Sequence, residues 1–158
     1  MKTSEAGKEL IKSFEGLKYK SYKLAGEKYY TVGYGHYGAD VKAGYTYTLA
    51  AINDFFDSDL KKFEENVNKY HVIYGFNQNE YDALISFAWN IGSIDQLTGY
   101  GKRSRDEIKS NWLKYCRDSR HEVLEGLQRR RKKELILFCT PVEEKLEGSI
   151  EVFSYEDK

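Results

Sequence analysis

Apolar positions recur at helical spacing over most of the chain and lose that spacing in a single stretch. Leu10, Ile11 and Phe14 predict a first short helix over about residues 4–14, with Gly16 as its terminator. Between residues 19 and 47 the period disappears. There Gly26, Gly33, Gly35, Gly38 and Gly44 punctuate Tyr, Thr and Val, which predicts short strands and tight turns. From Thr48 the helical period returns, and Leu49, Ile52, Phe56, Leu60, Phe63 and Val67 keep one stripe over about five turns. Asn77 with Glu80 three residues later forms a capping-box pattern. It opens a strongly apolar helix through Tyr81, Leu84, Ile85, Ala88 and Ile91 that ends at Gly92 and is expected to be the central, most buried one. Ser104 with Glu107 repeats the signal for a helix through Ile108, Trp112 and Cys116.

The last predicted helix, about residues 122–138, carries Val123, Leu124, Leu127, Leu135 and Phe138 on one side. At 100° per residue, Arg130, Arg131 and Glu134 fall on that same side, while Arg129, Lys132 and Lys133 fall away from it. Two arginines of the Arg129–Lys133 run therefore point into protein and need acidic or carbonyl partners there. A helix, a small β part and then helices make an α+β chain of one domain. The domain is expected at residues 1–141, with the β part at about 16–47 and the helical body from 1–15 and 48–140. Pro141 closes the body, and 142–158 forms an acidic tail rather than a separate domain.

Composition changes this picture little. The chain has 158 residues, 41% hydrophobic and with a single proline, which suits a globular domain with a real core. Formal charge is balanced at 25 basic and 25 acidic residues, but unevenly placed. Residues 101–133 hold 12 Lys/Arg against 5 Asp/Glu, and 143–158 hold 6 acids against 2 lysines. A basic face on a neutral protein suits an anionic polymer. Cys116 and Cys139 lack framework spacing and are expected to be free thiols. Met1-Lys2-Thr3-Ser4 leads straight into an amphipathic segment, so neither a signal peptide nor a membrane span is expected.

Several chemistries are set aside. Gly33-Tyr34-Gly35-His36-Tyr37-Gly38 matches the form G-x-G-x-x-G, but no helical stripe follows it, as a dinucleotide site requires. His36, His71 and His121 lack the companions of a metal site, so neither metal nor cofactor is expected. No nucleophile elbow or phosphate loop occurs. Carboxylate chemistry remains. Glu15, at a helix end between Phe14 and Leu17, has a setting suited to a general acid for glycosidic cleavage.

Four blocks carry a family resemblance. They are Phe14-Glu15-Gly16-Leu17, Thr31-Val32-Gly33-Tyr34-Gly35-His36, the run from Asn77 to Gly92, and Gly126-Leu127-Gln128-Arg129-Arg130-Arg131-Lys132-Lys133-Glu134-Leu135. In this order they resemble phage lysozymes of glycoside hydrolase family 24. The resemblance implies a two-lobed lysozyme-like fold and a cofactor-free endolysin. Such an enzyme cuts the β-1,4 bond between N-acetylmuramic acid and N-acetylglucosamine in bacterial peptidoglycan. By position it implies Glu15 as the general acid and Thr31 as the residue that helps hold the attacking water. It likewise implies that Arg130 pairs with the acid, and His36 and Asn90 are expected to bind or orient substrate. The inward arginines and the balanced charge count against a nucleic-acid partner, and a monomer without stable membrane insertion is expected, made in the host cytoplasm and acting on the wall after release.

One position departs from the pattern. The family commonly has Asp or Cys nine residues after the acid, where this chain has Leu24. Three readings of the second carboxylate stay open: Glu27, four residues before Thr31; Asp40, past the glycine run; or none, with Thr31 positioning water by itself.

Overall fold

A computed structural model of the chain describes residues 1–143, so the expected acidic tail lies outside the described residues apart from Val142 and Glu143. Helix α1 spans Glu5–Phe14, strands β1 Lys18–Tyr22, β2 Tyr30–Gly33 and β3 His36–Gly38, and helices α2 Leu49–Tyr74, α3 Gln78–Ile91, α4 Arg105–Trp112 and α5 Glu125–Cys139. The strands form one antiparallel sheet in the order β1-β2-β3. The glycine run becomes the β2–β3 hairpin, with Thr31 opposite Tyr37 and Val32 opposite His36. Gly33 adopts φ 69° and backs onto α2, where a Cβ would sit 2.7 Å from Ile52 Cγ2. The position tolerates no side chain for both reasons.

The core lies between α3 and the helices around it. All of α3 from Glu80 to Ala88 is buried, as its apolar pattern predicted. Its start is fixed by the Asn77/Glu80 capping box. Helix α2 begins at a Thr48 cap and ends at Gly75 in the left-handed region. At 26 residues it runs about 39 Å, two turns beyond Val67, because Tyr70 continues the buried stripe. Phe87, Trp112 and Phe138 bring α3, α4 and α5 together through aromatic contacts at 5.5 and 5.0 Å.

Three expectations are corrected. Gly16 does not terminate α1: Glu15 leaves the helix in an extended conformation, φ −99° and ψ 146°, so that the chain runs straight into β1 instead of reversing. Helix α4 stops at Trp112 and does not include Cys116. Leaving the helix there lets Tyr115 meet Phe87 edge-on at 5.0 Å and Cys116 accept from the Leu124 N–H at 3.0 Å. Val123 and Leu124 precede α5, in a bridge where Val123 pairs with Arg117, so a helical wheel does not describe them and both are exposed. Both cysteines are free, Cys116 buried and Cys139 exposed.

The N-terminal segment is fastened to the body by two carboxylates, the half-buried Glu64 and the buried Asp82. Glu64 accepts from the Thr3 N–H and hydroxyl at 2.8 and 2.9 Å. Asp82, on α3, accepts from the Ser4 N–H at 3.0 Å, from the Ser4 hydroxyl and from Gln78 Nε2 at 2.9 Å. Gly7 allows this approach, since a Cβ there would meet Asp82 Cγ at 2.6 Å. Ser4 also caps α1, so one aspartate fixes where the helix starts and hence where Glu15 emerges. Asp82→Ala leaves the Ser4 donors unpaired and is expected to cost about 2–3 kcal/mol in urea denaturation.

Candidate active site

Helix α1 delivers Glu15 to the junction of the sheet and the helical body. Two clefts meet at this side chain, and it is the one residue common to both. The larger, about 630 Å³, runs along the start of α5 between Phe14, Asn90, Leu124, Arg129 and Lys133. The other, about 320 Å³, lies toward the hairpin between Tyr34, Tyr37, Asp59, Phe63 and Trp89. Glu15 is partly exposed and held at both oxygens. Trp89 Nε1 donates to Oε1 at 3.0 Å, and Arg130 Nη1 lies 3.4 Å from Oε2. The Arg130 guanidinium also stacks over the Phe14 ring at 4.7 Å.

Arg130 is itself seated by buried groups. Its Nη2 donates to the Ser86 carbonyl at 2.9 Å and its Nε to Glu134 Oε2 at 3.2 Å. Glu134, fully buried, also accepts from Ser86 Oγ at 2.6 Å and Trp112 Nε1 at 3.3 Å. Its Oε1 pairs with Arg131 Nε at 2.9 Å, an ion contact off hydrogen-bond alignment. Arg131 Nη2 donates to Asn90 Oδ1 at 2.7 Å. Burial pushes the Glu134 carboxyl up and pulls Arg131 down to about 10, each against the attraction of the other. The inward orientation expected for Arg130, Arg131 and Glu134 is what α5 adopts, and Arg129, Lys132 and Lys133 are exposed.

The phage lysozyme family model matches residues 12–134. The chain belongs to the phage lysozyme family. It is 39% identical over 143 residues to an endolysin of Bacillus phage PZA, an alignment covering 87% of this chain and 55% of that protein. It is 42% identical over 144 residues to an endolysin of Lactococcus phage c2, covering 90% of this chain and 62% of that protein. The chain thus spans somewhat over half the length of these relatives. The muramidase domain of SpmX from Asticaccaulis excentricus matches with a TM-score of 0.75 at 33% identity, covering 89% of this chain and 99% of that one. The α+β, lysozyme-like architecture expected from the sequence holds.

In this phage lysozyme fold the predicted site residues fall into two groups. Glu15, Arg130 and Asn90 line one cleft. Thr31 is buried at the middle of β2, without a side-chain hydrogen bond among the described residues. Glu27 closes the turn before β2: its Oε1 accepts from the Leu24 N–H at 2.9 Å, and its own N–H donates to the Leu24 carbonyl at 3.1 Å. It lines neither cleft. Asp40 contacts His36 Nε2 at 2.9 Å. His36 stands between Asp40 and Asp59, with Asp59 2.9 Å from Nδ1, and stacks on Phe55 at 4.2 Å.

Trp89, Ser86 and Asp59 were not singled out in sequence. A tryptophan in a buried helix needs a partner for its N–H, which was a usable signal for Trp89. Asp59 gives none, being one acid among several on the polar side of α2.

Burial opposes protonation of His36, but hydrogen bonds and charge from Asp59 and Asp40 outweigh it and raise its pKa above 6.5. Its stabilising contribution is therefore fully present below about pH 6.5 and is lost as pH rises through the raised value. Stability measured by denaturation across pH 5–9 is expected to fall over that window, and His36→Gln to remove that component of the slope. Glu134→Ala leaves the buried Arg131 without a carboxylate and Arg130 with Glu15 alone, and is expected to cost about 3–5 kcal/mol in the same measurement at neutral pH.

Proposed function

We propose that this chain is the catalytic part of an endolysin that hydrolyses the β-1,4 bond between N-acetylmuramic acid and N-acetylglucosamine in peptidoglycan. The observation that carries the reading is the position of Glu15, where the two clefts join and a glycan strand lying through both would cross it. Glu15 donates its proton to the glycosidic oxygen as the C1–O bond breaks, the general-acid step of glycoside hydrolysis. The carboxylate left behind is stabilised by Trp89 and by Arg130, which are already in place before the reaction and need not reorganise. Water held by Thr31 adds to C1 and gives up its proton to the second carboxylate. Asn90 and His36 orient the substrate from the helical body and the hairpin.

Glu27 is retained as the second carboxylate on its sequence position, with Oε1 engaged at Leu24. Membership of the family and the endolysin names of its relatives support the reaction class. No helix among the described residues is long and apolar enough to cross a membrane. The protein acts as a monomer on the wall after release from the host cytoplasm, without nucleic acid as a partner. The exposed cations of α5 draw it electrostatically to anionic wall polymer.

The test is clearing of purified peptidoglycan with analysis of new reducing ends. Wild type is expected to release muramic acid reducing ends, and Glu15→Gln to lower the rate at least about 1,000-fold while remaining folded. In the same assay a comparable loss in Glu27→Gln assigns the second carboxylate. Near-normal activity in that variant leaves Asp40, or Thr31 by itself, to position the water, and Asp40→Asn in the same assay separates the two. Binding to the wall without new reducing ends in wild type overturns the enzyme reading in favour of a wall-binding module, the alternative that Leu24 raises.

A further inference from the structure

Beyond the catalytic groove, a third concavity of about 220 Å³ opens where α3 ends and the chain turns toward α4. Phe87 and Ile91 form one wall, one helical turn apart, and Tyr115, edge-on to Phe87 at 5.0 Å, forms the floor with it. Asp95, Gln96 and Tyr100 complete the rim. Its volume is below the range of about 300–1,000 Å³ that drug-sized ligands fill, a scale suited to one sugar ring. The cavity combines an apolar base with a few fixed polar groups, the usual make-up of a small-ligand site.

Two observations set this site apart from ordinary surface. Tyr100 is 66% exposed and sits at φ 57°, between Gly99 at 58° and Gly101 at 82°. Left-handed backbone disfavours a tyrosine, and exposure returns no packing for it. The loop nevertheless fixes this conformation, with the Tyr100 N–H donating to the Asp95 carbonyl at 2.7 Å and Arg103 Nη1 holding the Gln96 and Leu97 carbonyls at 3.1 and 3.2 Å. Folding stability by itself gives no reason to display that ring. Asp95 is equally fixed. Its Oδ1 accepts from Tyr70 Oη at 2.6 Å and Asn66 Nδ2 at 3.0 Å, neither of which engages Oδ2.

We propose that this pocket is a second saccharide site, which takes a single N-acetylated hexosamine of the wall glycan. One sugar face stacks on Tyr100, its hydroxyls donate to Asp95, and the acetamido methyl lies on Ile91 and Tyr115, with the fully buried Phe87 behind them. The choice of glycan rests on the hydrolase reading above, but the site does not depend on Glu15. Asn90 faces the catalytic cleft while the next residue, Ile91, faces this pocket, so the same end of α3 separates the two. Holding a neighbouring strand there keeps the enzyme on an insoluble substrate between cuts.

Titration of ¹⁵N-labelled protein with N-acetylglucosamine and its trimer tests this directly, alongside co-sedimentation with purified sacculi in the Glu15→Gln background. The expected result is saturable shifts of the Gln96, Tyr100 and Gly101 amides, separate from those of Trp89 and Asn90. Tyr100→Asn, a residue that accepts left-handed backbone, should keep or raise the melting temperature. It should also abolish the loop shifts and weaken sedimentation with sacculi about five-fold or more, the loss expected for one aromatic stacking partner. A rise in stability with unchanged binding, or sugar shifts confined to the Glu15 cleft, overturns the proposal. If wild type fails to cleave but the loop shifts persist, the saccharide site stands and only the hydrolase reading falls.

Discussion

The buried ion cluster of Glu134 with Arg130 and Arg131 is the constraint on which the site depends. Three charges leave water together, and each is tolerated only because the others and their hydrogen-bond partners are in place. The cluster joins α5 to α3 through Ser86 and Asn90, and to α4 through Trp112. Its outermost member is Arg130, whose remaining donor faces Glu15. Stability and site geometry are therefore one arrangement here: the cation beside the proposed acid is held by buried groups rather than by its own flexible side chain.

Helix α1 answers from the other side. Asp82 fixes its first turn and Trp89 meets the carboxylate at its last, so both ends of α1 register against the same helix, α3. Glu15 leaves α1 in extended backbone, which sends the chain directly into the sheet and leaves the carboxylate at the crease between the lobes. The β hairpin is docked independently, through Gly33 against Ile52 and through His36 between Asp59 and Phe55. Clefts form on either side of Glu15 because these two dockings are separate.

Much of the fold was legible in the sequence. The capping boxes at Asn77/Glu80 and Ser104/Glu107 are local signals, satisfied within four residues, and both appear as read. The stripes of α2 and α3 and the inward side of α5 are periodicities that any buried face imposes. The errors lie where tertiary contacts override local pattern. Gly16 was a plausible helix end, but continuity with β1 selected extended backbone at Glu15. Cys116 fitted the α4 stripe, but Tyr115 packing on Phe87 drew the chain out of the helix. Val123 and Leu124 fit the apolar side of the α5 wheel but lie before the helix starts at Glu125, where the bridge to Arg117 sets the backbone.

By itself the sequence determined the α+β order, the central helix, the acid at the end of α1 and which arginines turn inward. Each of these follows from periodicity, capping or motif order along a single segment. Only the tertiary structure decided what those groups meet. Trp89 on Glu15, Asp59 on His36, Asp82 beneath Gly7 and the pocket under Tyr100 all join residues more than ten positions apart or on different elements. Such partners are chosen by how packed helices approach one another, and no local pattern in the chain encodes that approach.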